Sequence, residues 1–279
     1  MGLKATLDNS FLLRVLVFAV LFVLTDLTLT MAGPFILEQV TIDFIIGIGV
    51  GFIFGLIFTQ LYYRRLARIG IGWFLLFIIQ WFTTMIEGYF FTTILTEALL
   101  LAAATMGLLI SFLHALFISF LFLPTTTDKS LRIELKDYFA QRRWYHWLWR
   151  FMLTAALYLV IYYGIGTLIS PIVLPFYLDM GTGLVIPPVG VILIVELSRG
   201  FLYILALLPI LVSLKVETKE LYLLLAFALY LPSIAMFLPN PAFHVLLRII
   251  HGLFEILIDS LLFTAVFILL LKQGHTEPK

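Results

Sequence analysis

The last hydrophobic stretch, 241–271, carries five ionisable side chains: His244, Arg248, His251, Glu255 and Asp259. On a helix turning about 100° per residue they share one stripe, and the other faces are apolar or small. The chemistry such a stripe could support is specific. His251 and Glu255, one turn apart, could exchange a proton or share a ligand. Arg248 could hold an anionic group such as a phosphate. Ionisable groups are costly in hydrocarbon, so the stripe should face protein or a water-filled cavity.

Four more ionisable residues sit inside other apolar runs: Asp26, Glu87, Glu196 and Arg199. Counting ~1.5 Å per residue from one end of each run puts these four, with Glu255 and Asp259, at ~18–27 Å within a ~30 Å core. The residues come from distant parts of the chain yet fall in one layer. The expectation is a single polar cavity formed by Asp26, Glu87, Glu196, Arg199, Arg248, His251, Glu255 and Asp259. Five of these are acids and two are arginines. The surplus acids must be protonated, hydrated, paired with histidine or bound to a cation. Beyond Asp259 the stripe continues as Leu262 and Val266, which would close the cavity. Gln60 and His114 are the main polar groups of the other half of the membrane. A lone helical histidine is more often a hydrogen-bonded packing residue than a functional one.

The elements that must position these groups follow from composition. The chain is 63% hydrophobic and only 12% charged, with a net charge of +1 and no cysteine. A soluble domain carries about 25% charged residues. The pattern is therefore that of an all-α, polytopic transmembrane helical bundle. A nucleic-acid footprint is absent, and disulfides and thiolate chemistry are excluded. Eight spans fit: 11–31, 44–61, 71–95, 98–123, 147–169, 186–214, 221–238 and 242–271, each near the ~20 residues a bilayer needs. The first is too long for a signal-peptide core and reads as a retained span.

Lys and Arg fix the topology. Lys4 and Arg14, Arg64, Arg65 and Arg68, the basic group from Lys129 to Arg150, Lys215 and Lys219, and Lys272 and Lys279 all fall on one side. The opposite loops have none. This predicts a cell (inner or plasma) membrane protein with both termini cytoplasmic. The linker 124–146 places Leu131, Leu135, Tyr138 and Phe139 at helical spacing among basic residues. It reads as an interfacial amphipathic helix that could meet anionic lipid, with Trp144, Trp147 and Trp149 as anchors. The linker divides the chain into four-span halves, 1–123 and 147–279. Short matches such as Gly51-Phe-Ile-Phe54 with Gly200-Phe-Leu-Tyr203 point to a parallel repeat, though apolar sequences align easily by chance. Gly47, Gly51 and Gly55 make a GxxxGxxxG face for close helix packing. Pro209 and Pro232 predict kinks.

The leading functional expectation is transport or binding of a small cationic or proton-coupled solute. A membrane-embedded enzyme acting on a lipid or lipid-linked substrate is the alternative, although no HExxH or GxSxG pattern is present. An accessory or assembly subunit of a membrane complex is a third reading, and a purely structural ion-pair cluster a fourth. The sequence names neither a cofactor nor a substrate, and no metal ligand set stands out.

Overall fold

A computed structural model describes residues 8–30, 37–93, 95–241 and 243–272. These form nine helices: α1 (Asn9–Thr30), α2 (Leu37–Phe58), α3 (Arg65–Phe91), α4 (Glu97–Leu121), α5 (Leu131–Ala140), α6 (Trp144–Leu178), α7 (Val189–Ser213), α8 (Thr218–Ala235) and α9 (Val245–Leu271). All except α5 are long and apolar enough to cross a membrane. The fold is an all-α bundle, and on that ground the chain is a multi-pass membrane protein. Lys4, Lys279 and the expected span limits at 31 and 242 lie outside the described residues.

Three boundaries differ from expectation, the first at α3, which begins at Arg65 rather than 71 and so takes in the buried Arg68. Helix α2 begins at Leu37, not 44, so Asp43 lies inside it and is buried. Helix α6 does not stop before Pro171 but runs through Pro171 and Pro175 to Leu178. Proline cannot donate to the carbonyl four residues back. At Pro171 that carbonyl belongs to Thr167, and the Ser170 hydroxyl donates to it instead at 2.9 Å. Such local replacement is what lets proline persist in a spanning helix.

Contacts at each end of the bundle show the up-and-down course. At the basic end, Arg14 and Arg68 donate to the carbonyls of Leu121 and Phe122 at 3.4 and 2.9 Å. The Lys272 ammonium reaches Thr218 at 2.7 Å. At the opposite end, the hairpin between α3 and α4 pairs with the α6–α7 connection: Thr93 N–H donates to Gly183 O at 2.8 Å and Val185 N–H to Phe91 O at 2.9 Å. One apolar core runs between these ends and draws on both halves of the chain, from Phe11 to Leu271.

The glycine face of α2 packs as its spacing suggests. A Cβ at Gly47 would stand 3.1 Å from Ala19 Cα, and one at Gly51 only 2.8 Å from the Phe18 ring. Helix α5 forms as expected, but it docks on protein. Tyr138 is buried, and its hydroxyl donates to Leu271 O at 2.8 Å. Its neighbour Glu134 accepts from the Tyr63 hydroxyl, which also contacts Ser213 Oγ at 2.6 Å. The linker therefore closes the basic end of the bundle.

Two helices widen locally into π-helical turns, α3 at Phe77–Phe82 and α9 at Arg248–Glu255. Such turns are rare and recur at functional sites. The second coincides with the ionisable stripe.

Candidate functional site

Six of the eight expected site residues meet between α3, α7 and α9. Arg199 on α7 is the hub. Its Nη1 donates to Glu196 Oε2 at 2.9 Å and lies 3.1 Å from Glu87 Oε2 on α3. Its Nη2 donates to the Tyr203 hydroxyl at 3.1 Å. His251 on α9 contacts Glu255 directly through Nδ1, while its Nε2 lies 4.0 Å from Glu87 Oε1. Asp259, one turn further along α9, interacts electrostatically with Glu255, Arg199, His251 and Glu196. Glu196, Arg199, Glu255 and Asp259 are all buried.

The remaining two expected residues lie elsewhere. The widened turn rotates Arg248 off the stripe. It donates to Leu238 O at 3.1 Å and pairs with Glu38 of α2 at 3.0 Å. Asp26 lies between α1 and α4, 3.9 Å from the ring of His114, and interacts with Asp43. His244 is also off the stripe. It caps α9, its Nδ1 accepting from Leu246 N–H at 3.2 Å. His114 is fully buried, stacked on Phe22 at 4.3 Å.

Tyrosines complete the site. Tyr158 of α6 lies beside Glu196, and its ring faces the Arg199 guanidinium at 6.0 Å. Gly200 permits this approach, because a Cβ there would stand 3.0 Å from the Ala155 backbone of α6. Tyr177 lies near Glu87, Glu255 and Glu196. Phe263 packs against Tyr158 and Tyr203 at 5.4 and 5.9 Å and forms the floor. The closing residues on α9 are thus Phe263 and Phe267, both fully buried, whereas Leu262 is turned outward. The i+4 ridge continues down the helix, and 262 lies one residue off it.

Two cavities flank the cluster. One, about 330 Å³, is lined by Thr84, Glu87, Arg199, Tyr203, Ser233 and Asn240 among others. The second, about 290 Å³, lies along α6 and includes Tyr162, Tyr163, Gly166, Ser170, Glu255 and Ile186. His251, Tyr177 and Phe91 border both. Both cavities are mainly apolar with a few convergent polar groups, the usual constitution of a small-molecule site. Asp259 Oδ1 is buried and makes no hydrogen bond among the described residues. Glu255 Oε1 would be 3.8 Å from a Cβ at Gly166, so nothing bulky separates that carboxylate from α6.

Charge decides the chemistry. Glu87, Glu196, Glu255 and Asp259 face one permanent cation, Arg199, and one ionisable ring, His251. With all six charged the cluster is net negative by two, four acids against two bases. Such a site favours uptake of protons or a cation. Among the described residues no group of three or more His, Asp or Glu is placed to hold a metal ion.

No family model matches this chain, and neither a curated protein nor a solved structure does.

Proposed function

We propose that the protein binds, and moves across the membrane, a small cationic or proton-coupled solute with an apolar part. Glu87, Glu196, Arg199, His251, Glu255 and Asp259 form its polar seat. The observation that carries this reading is the surplus of buried carboxylate around Arg199, set between two largely apolar cavities. The ammonium or proton would be received by Glu255 and Asp259, while apolar atoms occupy the groove along α6. Arg199 holds Glu196 and Glu87 in place through direct contacts, so exchange of the bound charge is left to Glu255, Asp259 and His251. The basic end of the bundle is taken as cytoplasmic, which puts the site in the outer half of the membrane.

The test uses full-length protein in nanodiscs, titrated with alkylammonium ions and with alkyl sulfates of matched chain length. Saturable binding of the ammonium series is expected, weakening as pH falls and protons compete. Glu255→Gln with Asp259→Asn should weaken it at least about tenfold, the worth of a charge-assisted contact or more. Equal affinity for the sulfates, or indifference to the double variant, contradicts the proposal.

One observation favours a second reading. His251 and Glu255 are in direct contact beside the α6 groove, as an acid–base pair acting on a lipid or lipid-linked substrate would be. Release of a lipid product by purified protein, abolished by His251→Gln, would select this enzyme over the transporter.

A further inference from the structure

At the other end of α6 lies a cavity of different character. About 480 Å³ in volume, it sits where α5 hands over to α6 and is lined by Gln141, Arg142, Arg143, Tyr145, His146 and Arg150. No acid lines it. Of the two acids on α5, Glu134 is taken by Lys129 and Tyr63, and Asp137 forms no ion pair among the described residues. Among the described residues none of the three arginines forms an ion pair with a carboxylate. Arg142 and Arg150 are close enough to repel one another.

The guanidiniums are nonetheless held in place. Arg142 lies over the Trp147 ring at 5.3 Å and Arg150 over the Trp149 ring at 4.9 Å. Arg150 also donates to Leu270 O, and Arg143 donates to the Tyr145 hydroxyl at 3.2 Å. The Nη1 of Arg142 is buried and makes no hydrogen bond among the described residues. Helix α6 begins here without a side-chain cap, so its first N–H groups add positive potential. Preorganised, unneutralised guanidiniums with donors still unused are the chemistry that recognises a phosphate.

Position selects the source of that phosphate. Trp144 is 75% exposed and Trp149 is exposed as well, marking headgroup depth. From the pocket, Leu148 and Met152 continue as an exposed apolar ridge along α6. We propose that this pocket binds the phosphate of an anionic phospholipid headgroup, its acyl chains lying along that ridge. The lipid would neutralise the repelling arginines and fasten the α5–α6 corner to the membrane. The pocket is independent of the carboxylate cluster and of what that cluster binds.

The experiment is native mass spectrometry of the full chain in detergent, titrated with phosphatidylglycerol, with phosphatidylcholine and with inorganic phosphate. Selective retention of phosphatidylglycerol is expected. Arg142→Gln/Arg143→Gln should weaken it about thirtyfold, the factor expected for two cations at a membrane surface. Arg132→Gln/Lys136→Gln removes the same charge from the exposed face of α5 and should change it less than about twofold on that scale. Both variants keep Arg150, whose bond to Leu270 O supports the fold. Equal loss in the two double variants would reduce the effect to unspecific charge and overturn the proposal. So would equal retention of phosphatidylcholine. Displacement of the lipid by inorganic phosphate alone would identify a soluble anion as the ligand and overturn the lipid assignment.

Discussion

Nη1 of Arg199 lies 3.1 Å from Oε2 of Glu87. Through that contact α7, in the second half of the chain, is tied to α3 in the first. The same nitrogen also serves Glu196. Removing the cation would leave two carboxylates in the bundle interior without their counter-ion. Truncating one partner of a buried ion pair costs about 3–5 kcal/mol. Arg199→Met should therefore lower stability by that order, measured by thermal or denaturant unfolding in detergent. Adding Glu87→Gln and Glu196→Gln to the same chain should restore most of the loss. A neutral single variant would mean that the ion pairs do not hold the bundle.

The approach of α6 to α7 at Gly200 brings Tyr158 to Glu196 and Arg199. An alanine methyl there would lie 3.0 Å from the Ala155 backbone and 3.2 Å from Tyr158 Cβ. Backbone cannot yield as a flexible side chain can, so overpacking of about 1–3 kcal/mol is expected from Gly200→Ala. Gly164→Ala on α6 is the control. Nothing lies within 4 Å of its Cβ position. There the gain in helix propensity, about 0.5–1 kcal/mol, should make the change neutral or stabilising. Unfolding midpoints of the two variants compare the effects directly.

The basic end should be sensitive to alkali. Burial, aided by the hydrogen bond to Glu134, holds the Tyr63 phenol well above the ordinary tyrosine range, and burial does the same for Tyr138. A proton held more tightly in the folded chain stabilises it in full below the unfolded pKa, about 10 for tyrosine, and that stability is lost as pH rises further. Melting temperature should be insensitive to these two groups near neutrality and fall above about pH 10. Tyr63→Phe with Tyr138→Phe should melt lower than the native chain near neutrality and show a shallower alkaline fall. An unchanged alkaline slope would assign it to other groups.

The architecture was legible because its signals are redundant. Hydropathy and the one-sided placement of Lys and Arg point to the same eight-span course. Depth set Glu87, Arg199 and Glu255 at one level, and they meet there, whereas Asp26 at the same level faces His114 instead, because depth carries no information on position around the bundle. The places where sequence reading stops are local. Nothing in Arg-Ile-Ile-His-Gly-Leu-Phe-Glu marks a π-helical turn, yet that turn moves Arg248 from the cluster to Glu38. Asp43 fell one residue outside an expected span and so escaped notice, although its helix begins at Leu37. Pro171 reads as a stop, and only the bond from Ser170 to the carbonyl of Thr167 explains why α6 continues. Tyr158 and Tyr177 look like apolar filler by type. A tyrosine on a buried face carries a polar tip whose partner is invisible until the fold is known.

The proposed function requires that water and cations reach carboxylates deep in the bundle, and thiol labelling measures this directly. The chain has no cysteine, so each introduced thiol is the only one. Thr84→Cys and Tyr177→Cys place it in the cavities, and Leu168→Cys places it on the 75% exposed outer face of α6. In proteoliposomes a cationic methanethiosulfonate should label the two cavity positions about tenfold faster than an anionic one of equal size, as focusing by the surplus acids requires. Glu255→Gln should shrink that preference, and Leu168→Cys should stay unlabelled in lipid. Cavity thiols that remain as unreactive as Leu168→Cys, or that react equally with both reagents, would contradict a hydrated, cation-selective site.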